Sequence, residues 1–235
     1  MIPKVSIFDL DGTLYDYKIA NNFGISALVE FLSPELDLDP SKLLKIYQDS
    51  RLISKQYSSL TAESHNIILY IFKMFETNNF PINLELMIES ENIYWSAFIS
   101  KIEPFEKVEE FIIDLKSVGS KIVIITDMSA KIQIRKLVAL GLDKVFDIFI
   151  SSDQVGGDKL TGRPFDYLCK ERIEHSDSKW YIGDNWWDLN FKDSGANVQR
   201  FKKGLLDQED LQSGLEILGF NAYDDLRKVL DDSIK

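Results

Sequence analysis

The chain has 235 residues, 45% of them hydrophobic, and a formal net charge of −11. That is enough apolar material for the core of one or two domains, and it excludes a disordered tail. A surface this acidic repels phosphate backbones and anionic lipid, so neither nucleic acid nor membrane is expected as a partner.

A first strand is expected over residues 4–8, where Val5, Ile7 and Phe8 crowd together just before Asp9 and Asp11. Residues 17–103 then read as helix after helix. ISALVEFL, SKLLKIYQDSRLISKQY, AESHNIILYIFKMFETN and LELMIESENIYWSAFISKI each place apolar residues at three- and four-residue steps. Pro40-Ser41, Thr61 and Asn83 stand where helices start, and Asn78, Asn79 and Pro81 break the run between two of them.

After Pro104 the rhythm changes. VEEFIIDLKSVG reads as a helix stopped by Gly119, and KIVIIT as a strand buried on both faces. SAKIQIRKLVALG (helix), VFDIFIS (strand), RPFDYLCKERIE (helix), KWYIG (strand), NVQRF (a weaker strand) and AYDDLRKVLDDS (helix) follow. Strands alternating with helices imply a parallel sheet, so the expected fold class is α/β. The core would be a Rossmann-like parallel sheet with helices on both faces. The all-helical block reads as an insertion between the first strand and the rest of that core. The lone cysteine, Cys169, falls in an amphipathic helix, where packing is its expected role; one cysteine permits no internal disulfide. No leader or membrane-spanning run is visible, and a cytoplasmic protein is expected.

In an open parallel sheet the ligand site lies beyond the carboxyl ends of the strands. Asp9, Asp11, Gly12 and Thr13 follow the first strand; Thr126 ends KIVIIT, with Asp127 behind it. Lys159 follows the third strand after a glycine-bearing loop, and Asp184 and Asp188 follow the fourth. Carboxylates meeting at one edge repel one another, and a divalent cation removes that penalty. Hard oxygen donors without a His or Cys cluster suit Mg²⁺. A cation, a lysine, a threonine hydroxyl and glycine-flanked N–H groups together make a pocket for a phosphoryl dianion. Residues 9 and 11 share a side of an extended chain, so both can reach one phosphoryl group once the chain turns at Gly12.

DLDGTL (9–14), ITD (125–127), Lys159 and GDNWWD (183–188) resemble, in order, the four motifs of the haloacid dehalogenase-like (HAD) superfamily. The resemblance spans nearly the whole chain. It implies a core of residues 1–16 and 104–235, with residues 17–103 as a helical C1 cap. It implies Asp9 as a nucleophile forming an aspartyl-phosphate and as a Mg²⁺ ligand. Asp11 would be the general acid/base, with its backbone carbonyl on the metal. Thr126 and the Asp127 backbone would hold phosphate oxygens, Lys159 would balance charge, and Asp184 would complete the metal's carboxylates. Asp188 would support the metal or orient Lys159.

Two positions depart from the family pattern: Asp127 replaces the usual Asn, so its side chain is expected to point away from phosphate, and Leu160 replaces the Pro after the lysine. Lys159 is preferred over a rival alignment on Arg163-Pro164 because it keeps the distance to Gly183-Asp184. The implied activity is Mg²⁺-dependent hydrolysis of a small phosphorylated metabolite by a monomer or homodimer. The alternatives are a phosphomutase of the same superfamily or a non-catalytic phosphoryl-binding or regulatory module. His65 and His175 have no partner at metal-ligand spacing and are expected at helix surfaces or ends. Trp186-Trp187 would either wedge the loop against its own domain or line the entrance.

Overall fold

A computed structural model describes residues 1–171, 173–174, 177–189, 198–213 and 215–234. His175 lies outside the described residues. The elements run β1 (Val5–Phe8), α1 (Tyr17–Glu35), α2 (Pro40–Tyr57), a 3₁₀ turn (Ala62–His65), α3 (Ile67–Thr77), α4 (Leu84–Ile99), α5 (Val108–Ser117) and β2 (Lys121–Thr126). Then come α6 (Ala130–Ala139), β3 (Ile148–Ser151), α7 (Ser152–Val155), a 3₁₀ turn (Lys159–Thr161), α8 (Arg163–Glu171), β4 (Lys179–Gly183) and α9 (Trp186–Leu189). β5 (Val198–Lys203), α10 (Gln208–Gln212), β6 (Leu218–Phe220) and α11 (Tyr223–Ile234) close the chain.

The six strands form one sheet in the order β3-β2-β1-β4-β5-β6, every pair parallel. Side chains alternate between its faces. Phe8, Ile122, Ile124, Trp180 and Ile182 pack on one side with Phe111, Leu115, Tyr223 and Leu226 of α5 and α11. Val5, Ile7, Val123, Ile125 and Tyr181 pack on the other with Phe165, Leu168 and Cys169 of α8. Covering both faces is why the central strands read as unbroken apolar runs. The winding reverses between β1 and β4, so β2 and β3 lie to one side of β1 and β4–β6 to the other. Loops leaving the carboxyl ends of β1 and β4 diverge there and open a crevice.

The chain leaves the sheet at Tyr15 and returns at Pro104, and these two residues bridge each other; Phe105 N–H donates to the Leu14 carbonyl at 2.8 Å. Asp16 caps α1 by accepting from Ile19 N–H, and Asp39, with Pro40 in the first turn, caps α2. The helix expected from residue 62 is divided. Asn66 accepts from the Ile68 N–H at 3.2 Å and caps α3, leaving Ala62–His65 as a separate turn. β6, α7, α9 and α10 are too short to carry a periodic signal, and the sequence reading did not contain them. Among the described residues no helix is long and apolar enough to cross a membrane.

Candidate active site

The crevice above β1 and β4 is the mouth of a cavity of about 230 Å³. Asp9, Asp11, Thr126, Asp127, Lys159, Asp184 and Asp188 all line it, so every site residue expected from the sequence meets at one place. Tyr17, Arg51, Lys55 and His65, from the helical block, line the same cavity.

Asp9 is buried at the end of β1, with one carboxylate oxygen ion-paired to Lys159 and the other accepting from the Thr13 hydroxyl at 3.0 Å. The turn after Asp11 requires Gly12. Its φ is +90°, and a β-carbon there would overlap the Asp184 carboxylate. Gly183 likewise lets Asp188 approach, since a β-carbon at 183 would lie 2.6 Å from that of Asp188.

Asp188 ion-pairs with Lys159 and accepts from the Asn185 N–H at 3.1 Å, and Asn185 Nδ2 donates to Asp184 at 2.8 Å. Lys159 is thus held between Asp9 and Asp188, with Asp127 4.0 Å away. Its neighbouring carboxylates outweigh the cost of burying the ammonium and keep it charged. Arg163 of the rival alignment instead donates to the Gly156 carbonyl and braces the loop. Asp127 turns its carboxylate toward that loop, accepting from Lys159 N–H at 2.9 Å and the Ser152 hydroxyl at 3.2 Å, which leaves its own N–H for another use. The carboxylate thereby helps to position Lys159, and its other oxygen lies 4.0 Å from the Lys159 ammonium.

Oxygens of Asp9, Asp184 and Asp188 come within 4.8 Å of one another. Burial, foremost, and mutual repulsion push each of the three carboxyls up to about 7, against Lys159, which lowers them. Three hard oxygen donors that resist ionising together are what a divalent cation relieves, and the donor set fits Mg²⁺. The Asp11 carboxylate is not in this group; only its backbone carbonyl remains available to it.

Asp11 faces the other way, toward residues the sequence reading missed. Lys136 of α6 is fully buried and places Nζ 2.8 and 2.9 Å from the two Asp11 oxygens. The Tyr15 hydroxyl donates to Asp11 as well, and so does Gln133 Nε2 at 2.9 Å. Gln133 also reaches Thr126 Oγ1 at 2.5 Å and the Asp127 carbonyl at 2.8 Å, tying the second strand end to the first. Burial opposes ionisation of Asp11, but the Lys136 ammonium and these hydrogen bonds outweigh it and hold its carboxyl below the usual range. The lysine is walled by rings of the helical block: Nζ lies 5.1 Å from the Phe98 centroid and 5.7 Å from those of Tyr17 and Trp95.

His65 ends a 3₁₀ turn, in line with its expected place at a helix end, and it also makes a long-range contact. Its Nε2 meets Asp158 at 3.2 Å inside the cavity wall, and the Asp158 N–H donates to the Leu60 carbonyl at 3.0 Å, so the turn before α3 is fastened beside Lys159. The two tryptophans divide the roles offered for them: Trp187 lines the cavity, and Trp186 Nε1 donates to Glu209 at 3.3 Å.

The sequence profile of haloacid dehalogenase-like hydrolases matches residues 6–198. The chain is 28% identical to a ribulose-1,5-bisphosphate 5-phosphatase from Halopiger xanaduensis, over 89% of this chain and 87% of that protein. It is 27% identical to a glyceraldehyde 3-phosphate phosphatase from Methanothermobacter thermautotrophicus, over 97% and 99%. Among solved structures it resembles the HAD-hydrolase YfnB from Bacillus subtilis, solved bound to magnesium, with a TM-score of 0.67 at 16% identity over 98% of this chain and 99% of that one. At that identity the likeness speaks for the fold alone.

Proposed function

The chain belongs to the haloacid dehalogenase-like hydrolase family, and from that premise we propose that it is a Mg²⁺-dependent phosphatase that hydrolyses a small phosphomonoester through an aspartyl-phosphate on Asp9. The observation that carries this reading is the surroundings of Asp9. A buried carboxylate is held by Lys159 and Thr13, beside two further carboxylates spaced for a cation, in a cavity open to a small molecule. The phosphatases among its relatives support the same reaction class.

Asp9, Asp184 and the Asp11 backbone carbonyl would hold Mg²⁺, with Asp188 in support. The ion would draw charge from the phosphoryl oxygens and offset the repulsion among the carboxylates. Lys159 favours the ionised form of Asp9 against the cost of its burial and meets the phosphate's negative charge, and Thr126 and the Asp127 N–H hold phosphate oxygens. An Asp9 oxygen attacks phosphorus, the bond to the ester oxygen breaks, and Asp11 gives that oxygen a proton. Asp11 rests ionised beside Lys136. A phosphoryl dianion arriving next to it raises its pKa by like-charge repulsion, so it can take up the proton it must deliver. In the second half Asp11, now a carboxylate, takes a proton from water; the water oxygen attacks phosphorus, phosphate leaves, and Asp9 is regenerated. The helical block, residues 17–103, acts as a cap that excludes competing water and contacts the leaving group.

The test is phosphate release from a panel of small phosphomonoesters, with Mg²⁺ or EDTA, for wild type and Asp9→Asn. Acid-quenched wild-type reactions analysed by peptide mass spectrometry should show a phosphate-mass adduct on the peptide containing Asp9. Release that persists in Asp9→Asn would overturn the mechanism, and no release from any ester would overturn the activity.

A further inference from the structure

The floor of the cavity is acidic, yet its wall from α2 is basic. Arg51 and Lys55 stand one helical turn apart on the same face, both half-buried and both lining the cavity. Like charges at this spacing destabilise a helix, and withdrawing them from water costs more. Among the described residues neither forms an ion pair, because Asp158, the acid whose charge reaches Lys55, is taken by His65. Arg51 stands among the hydroxyl-bearing rings of Tyr17, Tyr47 and Tyr70, and the Tyr70 hydroxyl donates to the Ser64 carbonyl. Loss of solvent and the charge of Arg51 pull the Lys55 ammonium down from its ordinary value, as expected of a cation without a counter-ion. Lys159 already sits between Asp9 and Asp188 to meet the phosphoryl group, so the α2 pair remains for something else.

We propose that Arg51 and Lys55 form a subsite for a second anionic group of the substrate, a phosphate or a carboxylate a few atoms from the phosphate being transferred. This inference rests on the phosphatase reading of the same cavity. It places the substrate among compounds with anions at both ends and assigns the choice to the helical block. A guanidinium offers a planar pair of N–H donors matched to either anion, and an ammonium one turn on adds charge without fixed geometry.

The test measures binding, so that turnover is not needed. Asp9→Asn protein in Mg²⁺ is titrated calorimetrically with α,ω-alkanediol bisphosphates of two to five carbons, with the corresponding ω-phosphoalkanoates, and with the alkyl monophosphates of equal length. At least one length of bisphosphate or phosphoalkanoate should bind ~10-fold tighter than its monophosphate, about 1.4 kcal/mol. Which series gains most tells phosphate from carboxylate. Adding Lys55→Met should cut the gain below ~3-fold while leaving monophosphate binding within ~2-fold. Lys55→Arg should retain the gain, and Arg51→Met should lose it, with Tm showing whether that variant folds. A gain near one at every length, or one that survives Lys55→Met and Arg51→Met, overturns the subsite while the phosphatase reading stands. An equal loss for monophosphates and bisphosphates would mean that the pair holds the transferred phosphate itself, and would overturn it too. If neither series binds, the subsite is overturned, and phosphate release by the wild type decides the phosphatase reading separately.

Discussion

Metal-free protein should lose stability as pH rises from about 5 to 8, and Mg²⁺ should restore it. Asp9, Asp184 and Asp188 have carboxyls raised from 3.8 to about 7. A raised folded-state pKa means that the folded protein binds these protons more tightly than the unfolded chain does. Stability therefore falls with rising pH between the two values and stays low above about 7. The two pH units from 5 to about 7 would amount to about 2.7 kcal/mol per group as a ceiling. The groups share Lys159 and repel one another, so they do not add, and a total of about 3 kcal/mol is expected. For a chain of this size that is roughly 6–12 °C in Tm. Mg²⁺ at ~100 times its Kd should return about 2.7 kcal/mol at pH 8 and much less near pH 5, where protons compete for the same oxygens. Asp184→Asn separates the two effects. Without metal at pH 8 it removes one of the repelling charges and should raise Tm, by ~1–2 kcal/mol; with Mg²⁺ it should lose the metal-dependent rise. Differential scanning fluorimetry at both pH values, in EDTA and in Mg²⁺, reads all of this. A metal-free Tm that is flat or rising with pH, or a Mg²⁺ gain equal at both pH values, would refute the reasoning.

Asp9→Asn should lower phosphate release by ~10³-fold or more with an unchanged circular-dichroism spectrum, since an amide cannot act as the nucleophile. Lys136→Met should cost about 3–5 kcal/mol because it leaves Asp11 facing an apolar wall; thermal melts of the single variants and of Asp11→Asn/Lys136→Met should show the double variant much less destabilised than the two singles combined. In Gly12→Ala, a left-handed φ and the overlap with Asp184 should cost about 1–3 kcal/mol and weaken Mg²⁺ binding, read by melts and by calorimetric titration.

Much of the site was legible because its residues sit at strand ends. A parallel strand buried on both faces is a run of apolar residues, so β1, β2 and β4 announce themselves, and the first polar residues beyond them face the crevice. Asp9, Asp11, Thr126, Asp127, Asp184 and Asp188 were found this way. Lys159 required a choice, since a loop lysine has no periodic signal, and its contact with Asp9 supports that choice over Arg163. Lys136 and Gln133 were missed for the opposite reason. On KIQIRKL a lysine and a glutamine read as the solvated face of an amphipathic helix. His65 does end a 3₁₀ turn, but nothing in AESHN says that Asn66 will start a new helix and leave the imidazole beside Asp158.

What the sequence alone determined is the set of chemical groups and their order on the sheet, because hydrophobic periodicity and chain polarity are local properties that fix which residues follow a buried strand. What only the tertiary structure decided is which charges meet. Lys136 finds Asp11 across 125 residues and Lys159 finds Asp9 across 150, while Arg51 and Lys55 come to line the cavity from a helix far along the chain. Each of these side chains would be solvated on its own element. Burial beneath the aromatic rings of the helical block and against neighbouring carboxylates turns them into parts of a site, since the strength of a charge pair depends on how much water the fold removes from around it.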